Sequence, residues 1–253
     1  MASALEGRKV LITGANRGLG AALVEAALAR DASVVVAAAR VPAALPRFSD
    51  PGRVVPLRLD VTDPRTITAA AREHPDTSLL VSNAAVTHQG QVLADGDEPA
   101  VRALLEVNFF GPLRLVRAFR DSLCRPGAGL VSVLSVAAVT VSRSSPMYGA
   151  SKAASLMLAL AAREELRDAG ATVTTVLAGY IDTDMAAGFT SSKASPEEVA
   201  GRTLDGWLAG QATVWPDRFA ELVRDAVGEP FRRLLDEPRD AMAGVHDAFR
   251  RGS

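Results

Sequence analysis

The sequence predicts a doubly wound α/β fold, a parallel sheet in a single domain, from three observations. Short apolar runs alternate with stretches of helical periodicity through the first two-thirds of the chain. Several runs are apolar at almost every position, as strands covered on both faces are. A glycine-rich turn joins the first run to the first helical stretch.

The elements follow in order. KVLIT (9–13) reads as a buried strand, and LGAALVEAALAR (19–30) as the helix after it, its apolar residues returning at helical spacing. SVVVAA (33–38) is a second strand. RVVPLRL (53–59) is a third, placed near a sheet edge by Pro56, which cannot donate to a ladder. PRTITAAAREH (64–74) is a helix with Pro64 in its first turn. SLLVS (78–82), GLVSVLS (129–135) and TVTTVLA (172–178) are further strands, separated by long helical patterns at about 97–124 and 146–169. Strands alternating with helices imply parallel pairing through right-handed crossovers. Beyond residue 184, SPEEVAGRTLDGWLAG (195–210) is a helix with Ser195 as N-cap and Pro196 at its first position. ATVWP (212–216) is a last strand, and 217–251 reads as one or two charged amphipathic helices, so 195–253 forms a largely helical C-terminal segment.

Composition narrows the function. The chain has 253 residues, 48% of them hydrophobic, and a formal charge of −1, so it carries no electrostatic footprint for nucleic acid. No run of like charge suggests a membrane-binding tail, and no apolar run reaches the roughly 18 residues of a membrane helix. Cys124 is the only cysteine, which excludes an internal disulfide and fits a reducing compartment. His74, His88 and His246 lack ligand-like spacing, so no metal site is expected. The N-terminus has no apolar signal core. A cytoplasmic protein is the expectation, and the abundance of Ala and Arg fits a GC-rich bacterial source.

TGANRGLG (13–20) places Gly14, Gly18 and Gly20, with Asn16, Arg17 and Leu19 between them, directly between strand and helix. Such a turn lets a ligand approach the backbone, and the N–H groups and dipole at the helix start favour a pyrophosphate. The expectation is the dinucleotide site of a Rossmann fold, with an ordinary strand-to-helix turn as the alternative. The second strand ends in Ala39 and Arg40, with no carboxylate to take the ribose hydroxyls. Arg40 and Arg17 offer guanidinium groups that suit a ribose 2′-phosphate, so NADP(H) is the expected cofactor.

Downstream, SPMYGASKAAS (145–155) sets Tyr148 and Lys152 on one face of a helix, four residues apart. A phenol with its ordinary pKa of about 10 exchanges protons slowly near neutrality. A neighbouring ammonium and a positive nicotinamide ring would lower that value. Together, T-G-x-x-x-G-x-G and Y-x-x-x-K resemble the short-chain dehydrogenase/reductase family, motif by motif from residue 8 to about 185.

The resemblance implies roles for further residues. Asp60 and Val61, after the third strand, would contact adenine; a capping or turn role is the alternative for the Asp60 side chain. Asn83 and Ala84 occupy the family's N-N-A-G segment, here S-N-A-A. Ser135, thirteen residues before Tyr148, would hydrogen-bond the reacting oxygen. Asn108, in a helical stretch where its propensity is poor, would hold a water in a proton relay behind the lysine; a helix-kinking or core-satisfied asparagine is the alternative. Asn108, Ser135, Tyr148 and Lys152 then form a catalytic tetrad, with Tyr148 and Lys152 also touching the cofactor. In AGYIDTDM (178–185), Gly179 and Thr183 match P-G-x-x-x-T with Ala178 in place of proline, and Ile181 and Thr183 would hold the nicotinamide carboxamide. Val86, Val136, Met147, Met185 and Phe189 are candidates for a substrate pocket under a short lid.

The implied activity is interconversion of a small-molecule carbonyl and its alcohol by an NADP(H)-dependent oxidoreductase of ketoreductase type. The alternatives are a non-redox isomerase, dehydratase or cyclase on the same scaffold, and a regulator that binds NADP(H) without turnover. The helices at 97–124 and 146–169 resemble those that pair family members, so a homodimer or homotetramer is expected.

Overall fold

The structure is a computed structural model that describes residues 5–93, 98–142, 144–188 and 192–237. Seven strands form one parallel sheet in the order β3-β2-β1-β4-β5-β6-β7. They are β1 (Lys9–Thr13), β2 (Val34–Ala39), β3 (Val54–Arg58), β4 (Leu79–Ser82), β5 (Gly129–Ser135), β6 (Thr172–Ala178) and β7 (Thr213–Val214). The order reverses direction between β1 and β4, which opens a crevice at the carboxyl ends of those strands. Pro56 lies on β3, the outermost strand, where one side of the ladder needs no donor.

Side chains alternate between two cores. Val10 and Ile12 of β1 and Leu79 and Val81 of β4 pack beneath α1 (Gly18–Leu28) and α7 (Pro196–Leu208), against Leu23, Val24, Val199 and Leu204. Leu11 and Leu80, the residues between them, face the opposite core. There they meet Ile67 of α2 (Pro64–Glu73), Leu115 of α4 (Gly111–Ala118) and Leu166 of α6 (Pro146–Arg167). Strands apolar at consecutive positions are thus explained by burial on both faces.

The stretch expected as one helix near 97–124 is broken. It comprises α3 (Glu98–Leu105), a π-helical turn (Glu106–Phe110), α4 and the short α5 (Arg120–Leu123). The bulge is centred on Asn108, whose side chain leaves the helix to bond other segments. Single π turns of this kind occur frequently at functional sites. Helix caps agree with the sequence: Asp63 accepts from Arg65 N–H before α2, and Ser195 from Glu198 N–H before α7. The last described helix, α8 (Arg218–Asp236), is interrupted at Gly228, where φ is 76°. The part of the C-terminal segment from residue 238 onward lies outside the described residues, as does Phe189. Among the described residues, no helix is long and apolar enough to cross a membrane.

Candidate active site

The glycine turn is built for close approach. A Cβ on Gly20 would fall 1.9 Å from the Gly14 carbonyl oxygen, so only glycine lets the start of α1 sit so close to the end of β1. Gly14 adopts φ of 70° beneath the loop after β4, its would-be Cβ 3.0 Å from Ala84 Cα. Asn83 locks the two loops together, its Nδ2 donating to the Thr13 carbonyl at 2.9 Å. Thr13 Oγ1 accepts from the Asn83 and Ala84 N–H groups. The side chain of Asn83 is therefore a brace of the crevice, and Leu19 is packed into the core. Asn16 lies partly exposed on the turn.

Helix α1 differs from α2, α7 and α8. No side chain caps its first turn. The other three are each capped by an Asp or Ser side chain. Free N–H groups at a glycine-lined helix start suit the pyrophosphate of a dinucleotide. The donor set of the turn fits that group.

Arg17, Arg40, Asp60 and Val61 are further residues expected at the cofactor. Arg17 reaches across the crevice, and its Nη1 pairs with Asp184 Oδ2 at 2.7 Å. Both side chains are well exposed, so the pair is worth under about 1 kcal/mol and a phosphate dianion can compete for the guanidinium. Arg40 stands exposed at the end of β2. Asp60 builds a turn, accepting from Thr62 N–H at 2.9 Å and from its hydroxyl at 2.7 Å. Val61 is buried beside it, 2.9 Å from where a Cβ on Gly111 would sit.

The tetrad residues converge. Ser135 ends β5, where its Oγ accepts from Ala137 N–H at 3.1 Å and shares a hydrogen bond with the Tyr148 hydroxyl. Gly149 permits this meeting: a Cβ there would lie 2.9 Å from the Ala137 carbonyl oxygen, so α6 approaches the turn after β5 only because residue 149 is glycine. Lys152, only 4% exposed, sends Nζ to the Val133 carbonyl at 3.2 Å and lies 5.7 Å from the Tyr148 ring centre. Asn108 spends its side chain as a clamp. Its Oδ1 accepts from Val86 N–H, and its Nδ2 donates to the Val86 carbonyl and to Ser151 Oγ. Ser151 in turn donates to the Tyr148 carbonyl, and Ser155 to the Asn108 carbonyl. Asn108, Lys152 and Ser155 border a cavity of about 10 Å³, room for about one water.

Burial sets the electrostatics of the pair. Burial pushes the Tyr148 phenol up to about 12, against a smaller lowering by the Ser135 hydrogen bond. Burial also pushes Lys152 down to about 8. The Lys152 ammonium donates to the β5 backbone, and burial outweighs its pull on the phenol. Desolvation prevails for both groups.

The end of the crevice expected to take the nicotinamide is the loop after β6. Gly179 N–H donates to Asp217 Oδ2 at 2.7 Å, and Ile181 forms a bridge with Ala194. The Thr183 side chain does not cap the short helix after it, and its methyl group covers Gly18, 2.9 Å from a Cβ built there. Val136 is buried in the core rather than lining a pocket, whereas Val86 and Met185 are exposed at the mouth.

With this geometry in hand, comparison with known proteins identifies the family. The family model described as short chain dehydrogenase matches residues 8–194. The chain is a short-chain dehydrogenase/reductase. Its relatives include the short-chain dehydrogenase PC-15 of Penicillium crustosum, 35% identical over 214 residues, covering 82% of this chain and 77% of that one. The 3-oxoacyl-acyl-carrier-protein reductase FabG of Salmonella typhimurium is 29% identical over 187 residues, 71% of this chain and 76% of its own length. A short-chain dehydrogenase from Burkholderia cenocepacia, solved in complex with NADP, superimposes with a TM-score of 0.82 at 35% identity, covering 88% of this chain and 94% of that chain. In this short-chain dehydrogenase the site is also built on residues that sequence reasoning missed, Gly149, Ser151 and Asp217, through the contacts they make. Gly149 carried a signal, a glycine inside a helix directly after the key tyrosine. Ser151 and Asp217 carried none beyond the look of a small helical residue and a helix cap.

Proposed function

We propose that the chain is an NADP(H)-dependent carbonyl reductase of ketoreductase type, working on a small-molecule ketone or aldehyde or, in reverse, its alcohol. The observation that carries this reading is the Tyr148 hydroxyl held by Ser135 with the Lys152 ammonium buried beside it. When bound, NADPH supplies a hydride to the carbonyl carbon. The cofactor choice rests on Arg17 and Arg40 flanking the crevice, and is supported by the solved relative that holds NADP. Gly14, Asn16, Gly18 and the start of α1 would take the pyrophosphate, and Ile181 and Thr183 the carboxamide.

The residues handle the proton. A phenol pushed up to about 12 keeps its proton at neutral pH, so Tyr148 is poised as a donor to the carbonyl oxygen. Ser135, its orientation set by Ala137 N–H, hydrogen-bonds the same oxygen. As the proton leaves, the Lys152 ammonium stabilises the phenolate. Asn108 maintains the site through Val86 and Ser151. The free, exposed Cys124 suits a reducing compartment such as the cytoplasm. Exposed Phe110 and Met157, on the helical segments expected to pair, support a homo-oligomer.

The test is NADPH binding by fluorescence, followed by NADPH consumption over a panel of aliphatic, cyclic and aromatic ketones. Binding with no oxidation on any carbonyl overturns the reductase reading in favour of a non-redox enzyme or a sensor.

A further inference from the structure

We propose that Asp217, at the head of α8, is a positioning residue for the nicotinamide end of the cofactor, an inference that rests on the function proposed above. Its side chain is 2% exposed and bonds in two directions. Oδ1 accepts from Ala220 N–H at 2.9 Å, which caps α8. Oδ2 accepts from Gly179 N–H at 2.7 Å, the first residue beyond the end of β6. One carboxylate thus joins the C-terminal helix to the loop carrying Ile181 and Thr183.

The approach is too close for any other residue at 179. A Cβ there would lie 2.5 Å from Asp217 Oδ1 and 3.0 Å from Phe219 Cβ. Phe219 then extends the grip, its ring centre 5.0 Å from that of Tyr180. Farther on, Asp182 N–H donates to the Ala194 carbonyl and Ala194 N–H to the Tyr180 carbonyl. The loop ends with Thr183 laid over Gly18. It is therefore pinned at its start by Asp217, in its middle by Ala194 and at its end by the glycine turn. Residue 178 is alanine, so no proline ring stiffens the start. The carboxylate supplies that constraint. The far end of α8 is also anchored, because buried Arg163 donates to the Leu235 carbonyl and to the Val173 carbonyl of β6. Helix α8 acts as a brace whose head sets the loop.

Asp217→Asn separates this role from simple helix capping. Asparagine caps a helix as well as aspartate does, but its amide nitrogen would confront the Gly179 N–H. Asp217→Ser is the second variant, since serine caps Ala220 and is too short to reach Gly179. Two probes are titrated: NADPH, and 2′,5′-ADP, which lacks the nicotinamide. Both variants should bind NADPH roughly tenfold more weakly, the factor of one hydrogen bond to a charged group, and bind 2′,5′-ADP as the wild type does. Amide hydrogen exchange should quicken at 179–183 while 221–227 keeps its protection. NADPH affinity unchanged in both variants, or an equal loss for both probes, would overturn the inference and leave Asp217 a helix cap. A wild-type chain that binds neither probe overturns the cofactor reading itself, a distinguishable result.

Discussion

Lys152 should make the protein gain stability as the solution becomes alkaline. The folded chain releases the ammonium proton at about pH 8, whereas an unfolded chain holds it to 10.5. Below pH 8 both states are protonated, and the folded state bears the whole cost of burying the charge. Between the two values the unfolded state binds more protons, so stability rises with pH. At about 1.4 kcal/mol per pH unit, the rise amounts to about 3 kcal/mol. Lys152→Met keeps the length of the stem and removes the charge. Allowing about 1 kcal/mol for the lost bond to the Val133 carbonyl, the variant should be about 2 kcal/mol more stable than wild type at pH 7. That advantage should vanish as pH nears 10. Tyr148, pushed up to about 12, contributes the opposite trend only above its ordinary value of 10.0, so the window between 8 and 10 is clear. The assay is urea unfolding of both proteins at pH 7, 8, 9 and 10, followed by circular dichroism. Parallel pH profiles for the two chains, or a variant less stable at pH 7, would refute the reasoning that desolvation governs this lysine.

Tyr148→Phe should cut turnover by about 10³-fold or more and leave NADPH affinity within about twofold of wild type; an active variant removes the tyrosine from the mechanism. Arg17→Ala combined with Arg40→Ala should weaken NADPH by about 10-fold or more and hardly change NADH, and equal losses would contradict the phosphate assignment. Gly20→Ala drives a Cβ to 1.9 Å from the Gly14 carbonyl oxygen, so a loss of about 3 kcal/mol or failure to accumulate as soluble protein is expected. A melting temperature within a few degrees of wild type would show that the turn can relax. NADP⁺ should bind more tightly as pH rises into the alkaline range where Tyr148 titrates while NADPH does not, because only the oxidised ring is positive beside the phenolate. Identical pH dependence for the two forms removes that coupling.

Much of the site was legible because its chemistry is local in sequence. A helix repeats its face every three to four residues, so Tyr148 and Lys152 are neighbours wherever that helix lies. The glycine turn is similarly self-contained, and Pro56 announced the sheet edge through its missing donor. Other features depend on segments remote in the chain. The Arg17 to Asp184 pair spans 167 residues, the Asn108 to Ser151 bond 43, and the Gly179 to Asp217 bond 38. No periodicity carries such information. The π turn at Asn108 was visible only as poor propensity, since its cause is a loop and a helix that meet it in space.

The sequence by itself determined the doubly wound sheet and the family, and singled out the glycine turn with Asn108, Ser135, Tyr148 and Lys152, because hydrophobic periodicity and short-range spacing are properties of the chain alone. The tertiary structure decided how those groups behave. It turned the Lys152 ammonium to the β5 backbone, raised the Tyr148 phenol, and set Asp217 under the β6 loop. The physical reason is that desolvation and long-range hydrogen bonds depend on what surrounds a group in space, and folding brings together neighbours that lie far apart along the chain.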